Sequence, residues 1–500
     1  MTPRKRATIG ILFGIFLAAM DSTIVITALP TIVSQFNHVE LFFLPISIAM
    51  IVSTISVTVI GRLSDLYGRK RFHLLGILLF TIGSCLCSVA PSMAWLVGFR
   101  AIQAAGQGAL MTLSYTMIAD LYPLEERAKM QGSIGGVWGL AALIGPPLGA
   151  AITHLVGWRF VFWVTLPLGF ISLAIIRKVW VDRPRRENAP QPDVPGAVLL
   201  ALVSASLLGA FSLVRHPDVD WHSPLIMALA AAAVILTAVL AVVERRSRDP
   251  FMAVDLFRNR LFWTGTLCSS LLAADMFCAF AYLPLFVQSV IGTNVMKAGM
   301  VLTPMMLAWV ACSAGGGFLL MRIGYRTLAL GGSLLAMGGY FLLGRMDATS
   351  TWGEAARAAA LLGAGLGFVL TPLLIAAQNS VGPGRLGSAT SLTQFCRSMS
   401  GALGVAVAGA LMATVLIGLL AGRPDLKVDP DQVVNPVMRE AIPERDRNEM
   451  RAIIAKSLKP VFKFGLGAAA LAFLAALLLP GGRARDLRSA EAVRTPGSPP

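Results

Sequence analysis

Thr8-Ile-Gly-Ile-Leu-Phe-Gly-Ile-Phe-Leu-Ala-Ala-Met-Asp21-Ser-Thr-Ile-Val-Ile-Thr-Ala-Leu-Pro30 is an apolar run broken by a single charge. As a helix rising 1.5 Å per residue it is long enough to cross the roughly 30 Å of bilayer hydrocarbon. Arg4-Lys5-Arg6 precede it, which imitates a secretory signal. The run is too long for one, carries Asp21, and has no small-x-small cleavage site. It reads instead as a first spanning helix whose basic end stays in the cytoplasm.

Runs of this kind fill the chain. Apolar residues make up 56% of the 500 and charged residues 14%, against roughly 25% charged in a soluble domain. Fourteen spans are expected, at 8–30, 42–60, 73–91, 94–119, 130–153, 160–176, 196–214, 224–243, 262–290, 298–320, 327–344, 355–378, 388–420 and 461–480. An even number that starts inside leaves both termini in the cytoplasm. The net charge of +16 lies between the apolar runs, not on one face of a domain, which argues against a nucleic-acid partner. On the expected cytoplasmic side stand 26 Lys and Arg against 14 outside, nine of these in one long outer stretch near 421–463, while Arg100 and Arg397 lie within spans. The opposite orientation would put the basic groups at Arg177–Arg186 and Arg245–Arg260 outside, contrary to the positive-inside rule. The six cysteines lie within apolar runs without zinc-like spacing and read as small hydrophobes. The histidines fall at loops or span ends.

The chain also echoes itself. Asp21, Leu29 and Pro30 recur as Asp275, Leu283 and Pro284, 254 residues later. Gly61-x6-Gly68 recurs as Gly317-x6-Gly324, 256 residues later. Two echoes near one offset suggest related six-helix bundles, 1–176 and 261–480. Residues 177–260 are then a cytoplasmic linker with an inserted pair of spans, and 481–500 a cytoplasmic tail. Transporters built from such repeats bind substrate near the membrane midplane.

Four strings carry more specific information. Gly61-Arg-Leu-Ser-Asp65-Leu-Tyr-Gly68-Arg69-Lys70-Arg71 joins spans 2 and 3, with glycines for a tight turn and an acid among bases for ion pairs that break and remake. It resembles the loop signature of the major facilitator superfamily. Met20-Asp21-Ser22-Thr23-Ile24-Val25-Ile26-Thr27-Ala28-Leu29-Pro30 resembles the first-span signature of that superfamily's fourteen-span drug:proton antiporters, the EmrB/QacA-like pumps, with Thr where the family carries Asn at or beside position 27. Arg100-Ala-Ile-Gln103-Ala-Ala-Gly106-Gln-Gly108-Ala109 resembles the family's buried-arginine string. Gly139 followed by Gly145-Pro146-Pro147-Leu148-Gly149 resembles its antiporter signature in span 5. Trp158-Arg159-Phe160 and Pro167-Leu168-Gly169 fit the same branch. The resemblance implies the major facilitator fold in the inner (cytoplasmic) membrane, with protons and amphipathic or cationic compounds as ligands. In Gram-negative members a periplasmic adaptor also extends the export route, and the 421–460 loop is a candidate contact for one.

Physical chemistry gives each residue a role and an alternative. Asp21 lies about 20 Å into span 1, and an intramembrane carboxylate marks function by default. It can load and release a proton, or be held in a static network. Arg100 cannot lose its proton and must find a partner; it can switch the proton affinity of an acid such as Asp21, or be clamped to helix carbonyls. Pro146 and Pro147 remove backbone donors and loosen span 5, beside glycines that admit a neighbouring helix. Asp275 is a candidate second proton site or an attractor of cationic substrate. Arg397 either joins it or snorkels to the cytoplasmic end. Gly363-Ala-Gly365-Leu-Gly367 imitates a dinucleotide fingerprint but lies in a span with no preceding strand, and reads as helix packing.

The dipeptide Gly-Lys is absent from the chain, so no phosphate-binding loop of the nucleotide-hydrolysing kind exists here. An ion gradient is the remaining energy source. No metal cluster, cofactor motif or nucleophile–base signature points to an enzyme. Efflux of amphipathic or cationic toxic compounds in exchange for protons is the expected function. A dedicated metabolite, lipid or siderophore is the alternative cargo.

Overall fold

The structure, a computed structural model, describes residues 2–36, 44–182, 193–213, 223–246, 254–293, 295–382, 385–421 and 444–481. These form helices and short connections: α1 (Pro3–Phe36), α2 (Leu44–Tyr67), α3 (Arg69–Ser88), α4 (Met93–Leu121), α5 (Leu124–Leu155), α6 (Arg159–Trp163), α7 (Leu166–Val179), α8 (Val194–Leu213), α9 (Pro224–Arg246), α10 (Arg260–Phe286), α11 (Val295–Met300), α12 (Leu302–Arg345), α13 (Trp352–Asn379), α14 (Leu386–Ala421) and α15 (Glu444–Leu477). A 3-10 turn at Val254–Arg258 precedes α10, and a π turn at Val287–Ile291 follows it.

Among the described residues eleven helical stretches are long and apolar enough to cross a membrane, and a shorter apolar one covers Pro195–Ala210. Helix α4 is not among them despite its 29 residues, because Arg100, Gln103, Gln107, Thr112, Ser114 and Thr116 make it polar. Large apolar side chains such as Val234, Ile235 and Phe318 point outward, more than half exposed. That arrangement is costly in water and suits a lipid surround.

By contacts the chain divides into two compact units. The first takes residues up to 266 together with 374–399, and the second takes 267–373 and 400–484. Helices α10, α13 and α14 are therefore divided between the units. In the first unit α1 packs against α4, α5, α6 and α7, α4 against α2 and α3, and α8 against α9 and α2. One of its cores gathers Ile24, Leu29 and Ile32 of α1 with Met93, Leu96, Trp158 and Phe162. In the second unit α15 packs on α12 and the π turn.

The echo seen in the sequence extends to backbone conformation and helix crossings. Gly68, between α2 and α3, and Gly324, inside α12, both have positive φ, 98° and 82°. Gly324 bends α12 between the stretches expected as spans 298–320 and 327–344. A Cβ on Gly106 would strike Gly76 and Phe80; one on Gly365 would strike Gly332 and Ala336. Gly83 lies against Gln103 as Gly339 lies against Leu362, and Gly108 meets the Ser53 carbonyl as Gly367 meets that of Trp309. The 363–367 glycines are helix-packing residues, as expected.

The last expected span, 461–480, begins earlier. Helix α15 runs unbroken from Glu444 through Pro460 to Leu477. The sequence offers a charged helix within Pro436–Lys459, and the part of it that is described is continuous with the final apolar helix. The part of that loop at 422–443 lies outside the described residues, as do 482–500 of the tail.

Candidate functional site

Helix α1 brings Asp21 into the first unit's interior, where it is 2% exposed. Arg100 and Gln103, three residues apart on one face of α4, are 5% and 1% exposed. Gly83 on α3 has no side chain to obstruct the Gln103 backbone. Arg100 Nη1 donates to Asp21 Oδ2 at 2.7 Å, and Gln103 Nε2 donates to Asp21 Oδ1 at 2.8 Å. Arg100 Nη1 also reaches Gln103 Oε1 at 2.7 Å. Gln103 Nε2 extends the cluster to Ser84 Oγ at 3.2 Å, and that hydroxyl donates to the Phe162 carbonyl at 2.8 Å. The carboxylate is charge-balanced and both its oxygens are hydrogen-bonded, the arrangement a buried ion pair needs. Arg100 Nε has no partner among the described residues.

The glycine-proline string of α5 lies on the same helix α1. A Cβ on Gly145 would strike Thr23, and one on Gly149 would strike Thr27 and the Ile24 carbonyl. Thr23 Oγ1 donates across the seam to the Ala141 carbonyl at 3.1 Å. The α5 face that meets α1 is thus Ala141, Gly145 and Gly149, with Gly139 also buried. Pro146 is half-buried and Pro147 exposed, both inside a continuous helix.

The 61–71 string builds a second cluster in this unit. Asp65 Oδ1 accepts from Gly387 N at 2.9 Å, and Oδ2 from Ser388 N and Oγ at 2.8 and 3.0 Å. Its carboxylate therefore caps the N-terminus of α14, where unsatisfied N–H groups and the helix dipole favour an anion. Gly61 and Gly387 let α2 and α14 approach, since a Cβ on Gly61 would strike Ser391. Arg69 Nη2 donates to Asp65 Oδ1 at 3.2 Å, and its Nε pairs with Asp120. Arg62 Nη1 reaches Ser388 Oγ at 3.3 Å. Gly68 turns the chain so that Arg69 N and Lys70 N donate to Asp182 Oδ1, each at 3.0 Å. Arg71 is exposed. Nearby, Arg385 clasps Asp255 with two hydrogen bonds of 2.6 and 2.8 Å, which hold that carboxyl below its ordinary range.

Asp275, in the second unit, is fully buried. Neither carboxyl oxygen has a hydrogen-bond partner among the described residues. Arg397 is half-buried in the first unit, where its Nη1 donates to Gln394 Oε1 at 3.1 Å. His73, expected at a span end, is fully buried near the start of α3, beside Gly14 and Ser172. Of the cysteines, Cys85 is exposed while Cys87, Cys268 and Cys278 are buried. Among the described residues no three metal-binding side chains gather.

The sequence marked Asp21 and Arg100 as costly charges in need of partners, and the structure joins them. It gave no role to Gln103 or Ser84. The spacing of Gln103 from Arg100 is a usable signal, whereas a serine in an apolar helix offers none. Asp182 was also missed, because it caps a helix more than a hundred residues earlier in the chain.

Residues 11–405 match the sequence profile of the Major Facilitator Superfamily. Multidrug resistance protein 3 of Bacillus subtilis (strain 168) is 33% identical over 97% of each chain. Multidrug transporter protein MdtP of the same strain is 33% identical over 81% of this chain and 74% of its own. Efflux pump dotC of Dothistroma septosporum is 30% identical over 91% and 80%. The human organic anion transporter MFSD10 shares the fold, with a TM-score of 0.64 at 16% identity over 95% of this chain and all of that one. A bacterial homolog of the human lysosomal transporter Spinster gives 0.58 at 17% identity, over 96% and 98%. The chain therefore belongs to the major facilitator superfamily and is a multi-pass membrane transporter.

Proposed function

We propose that this transporter exports amphipathic or cationic toxic compounds across the cytoplasmic (inner) membrane in exchange for protons. The Asp21–Arg100–Gln103 cluster carries this reading. A carboxylate and a guanidinium buried in spanning helices are costly, and a paired carboxylate whose arginine can withdraw is a proton switch. With Arg100 engaged at 2.7 Å, Asp21 is an anion. With Arg100 withdrawn, the same carboxylate is an isolated buried charge, which a proton neutralises. Proton uptake is thereby tied to helix movement. A potential of 100 mV supplies about 2.3 kcal/mol per charge moved, comparable to a change of roughly 1.7 in a pKa at 1.36 kcal/mol each.

The names of the relatives, multidrug resistance protein, multidrug transporter and efflux pump, support export as the direction. Among the described residues the eleven long apolar stretches become fourteen helices when the more polar α4 and the shorter α8 are added and α12 is taken as two arms, and fourteen is the span count we take, both termini being cytoplasmic. The Asp65 cap on α14 stabilises one conformation of the cycle. The glycine face of α5 gives α1 a close surface to move against. In proteoliposomes with an imposed pH gradient, adding cargo should move protons, and Asp21→Asn should abolish that movement. Full proton-coupled transport by Asp21→Asn would remove Asp21 from the mechanism. A panel of cationic, neutral and metabolite-like compounds separates broad export from a dedicated cargo.

A further inference from the structure

The two units treat corresponding carboxylates differently. Asp21 and Asp275 are echoes, 254 residues apart. The helix crossings extend the correspondence: Gly83 meets Gln103 as Gly339 meets Leu362, and Gly108 meets Ser53 as Gly367 meets Trp309. On this register the positions of Arg100 and Gln103 are taken by Ala359 and Leu362, both fully buried. The position of Ser84 is taken by Tyr340, whose hydroxyl donates at 2.5 Å to the main-chain carbonyl of Asp275 and not to its carboxyl. The second unit keeps the acid and has lost its partners.

Packing closes the space around it. Gly404 lies against Ala274, Gly401 against Phe277, and Gly465 against the Tyr340 ring. The titratable groups in electrostatic reach are Cys278 on the same helix and Tyr340 on α12. Among the described residues no side chain of α12, α14 or α15 makes a hydrogen bond to the carboxyl. A drug-sized cation needs a cavity of roughly 300 Å³ or more, and a metal ion needs further donors. A fully enclosed acid without partners is relieved by a proton, which needs neither.

We infer that Asp275 is a second proton-binding site, with no resident counter-ion, which exchanges a second proton in each transport cycle and does not contact cargo. This rests on the proton-exchange reading above. The proton leaves as H⁺ when the site opens to water and is taken up again from the opposite side, so no bond other than O–H changes.

The test is the proton-to-cargo ratio, read from reversal potentials in proteoliposomes with one cationic and one neutral cargo. Wild type should give two protons per cargo of either kind, Asp275→Asn one, and Asp275→Glu two. As a readout independent of transport, dicyclohexylcarbodiimide, which attacks protonated carboxyls in apolar surroundings, should modify Asp275 and spare the ion-paired Asp21. Mass spectrometry of the peptides reports this on wild-type protein. Loss of the cationic cargo alone in Asp275→Asn would overturn the inference in favour of a substrate site. An unchanged ratio in Asp275→Asn, or an unmodified Asp275, would also overturn it. Wild-type vesicles that move no protons would overturn the proton-exchange reading and this one together; a changed reading at Asp275 alone leaves the former standing.

Discussion

Replacing Asp21 by Asn keeps the shape of the side chain and removes its charge. Arg100 then remains a guanidinium, 5% exposed, with Gln103 Oε1 and the new amide oxygen as neutral acceptors. Removing one partner of a buried pair costs roughly 3–5 kcal/mol, because the other charge is stranded. The amide oxygen can still accept one hydrogen bond, which points to the lower end, about 3 kcal/mol. Arg100→Gln strands Asp21 in the same way at a similar cost. The double variant strands neither charge. It should therefore be less destabilised than the sum of the single variants, with a coupling of about 3 kcal/mol, far outside the roughly 0.5 kcal/mol expected of independent sites. Unfolding in detergent, followed by tryptophan fluorescence across the four proteins of the cycle, measures this. All three variants should lack uphill efflux, so the double variant separates folding from coupling. Single variants that each cost under about 1 kcal/mol and simply add would refute the argument that the pair holds the resting protein together.

Asp65→Asn removes the anion at the N-terminus of α14 and should cost about 1–2 kcal/mol, slowing transport of every cargo in kinetic assays without changing cargo affinity; loss for one cargo only would mark a substrate contact. Gly145→Ala should destabilise by about 1–3 kcal/mol through overpacking against Thr23, and Thr23→Ala should rescue its melting temperature; costs that add would argue against the seam. Asp255 is held below its ordinary range by Arg385, so the pair's stabilisation is present above the unfolded value near 4 and is lost as pH falls through the lower folded value. Asp255→Asn should erase that acid-side component in a pH series of unfolding curves, an effect under about 1 kcal/mol at so exposed a pair. In a cysteine-free background, Ala348→Cys, exposed beyond α12, should react with an impermeant maleimide from outside, and Arg71→Cys only after permeabilisation; the reverse pattern would invert the topology.

Much of this protein was readable as expense. Asp21 and Arg100 stand out because a charge in an apolar run needs a reason, and that reason proved to be each other. Gly68 and Gly324 stand out because a glycine at a fixed spacing between apolar runs marks a turn. Features that cost nothing locally were silent. Gln103 is an ordinary polar residue until it is seen between Arg100, Asp21 and Ser84. The loss of partners around Asp275 is written in Ala359 and Leu362, which look like any apolar helix residues until the crossing glycines align the units. A charged helix within 436–459 is legible in the sequence, but its union with the last apolar helix into one α15 is not, because a charged stretch marks where hydrocarbon ends and a helix can leave the hydrocarbon and continue.

The pair at the centre of the first unit also sets a schedule for biogenesis. On the translocon insertion scale an Asp or an Arg at the middle of a helix costs about 2.5–3.5 kcal/mol. Helix α1 enters the bilayer with Asp21 uncompensated, and its partner lies 79 residues downstream. At roughly 5–20 residues per second of synthesis, Arg100 follows Asp21 out of the ribosome after about 4–16 s. Through that interval α1 must shelter Asp21 beside the translocon, a chaperone or water, or hold it protonated. Helix α1 is made well before it is secured, and α4 is the helix that releases it from its guardians.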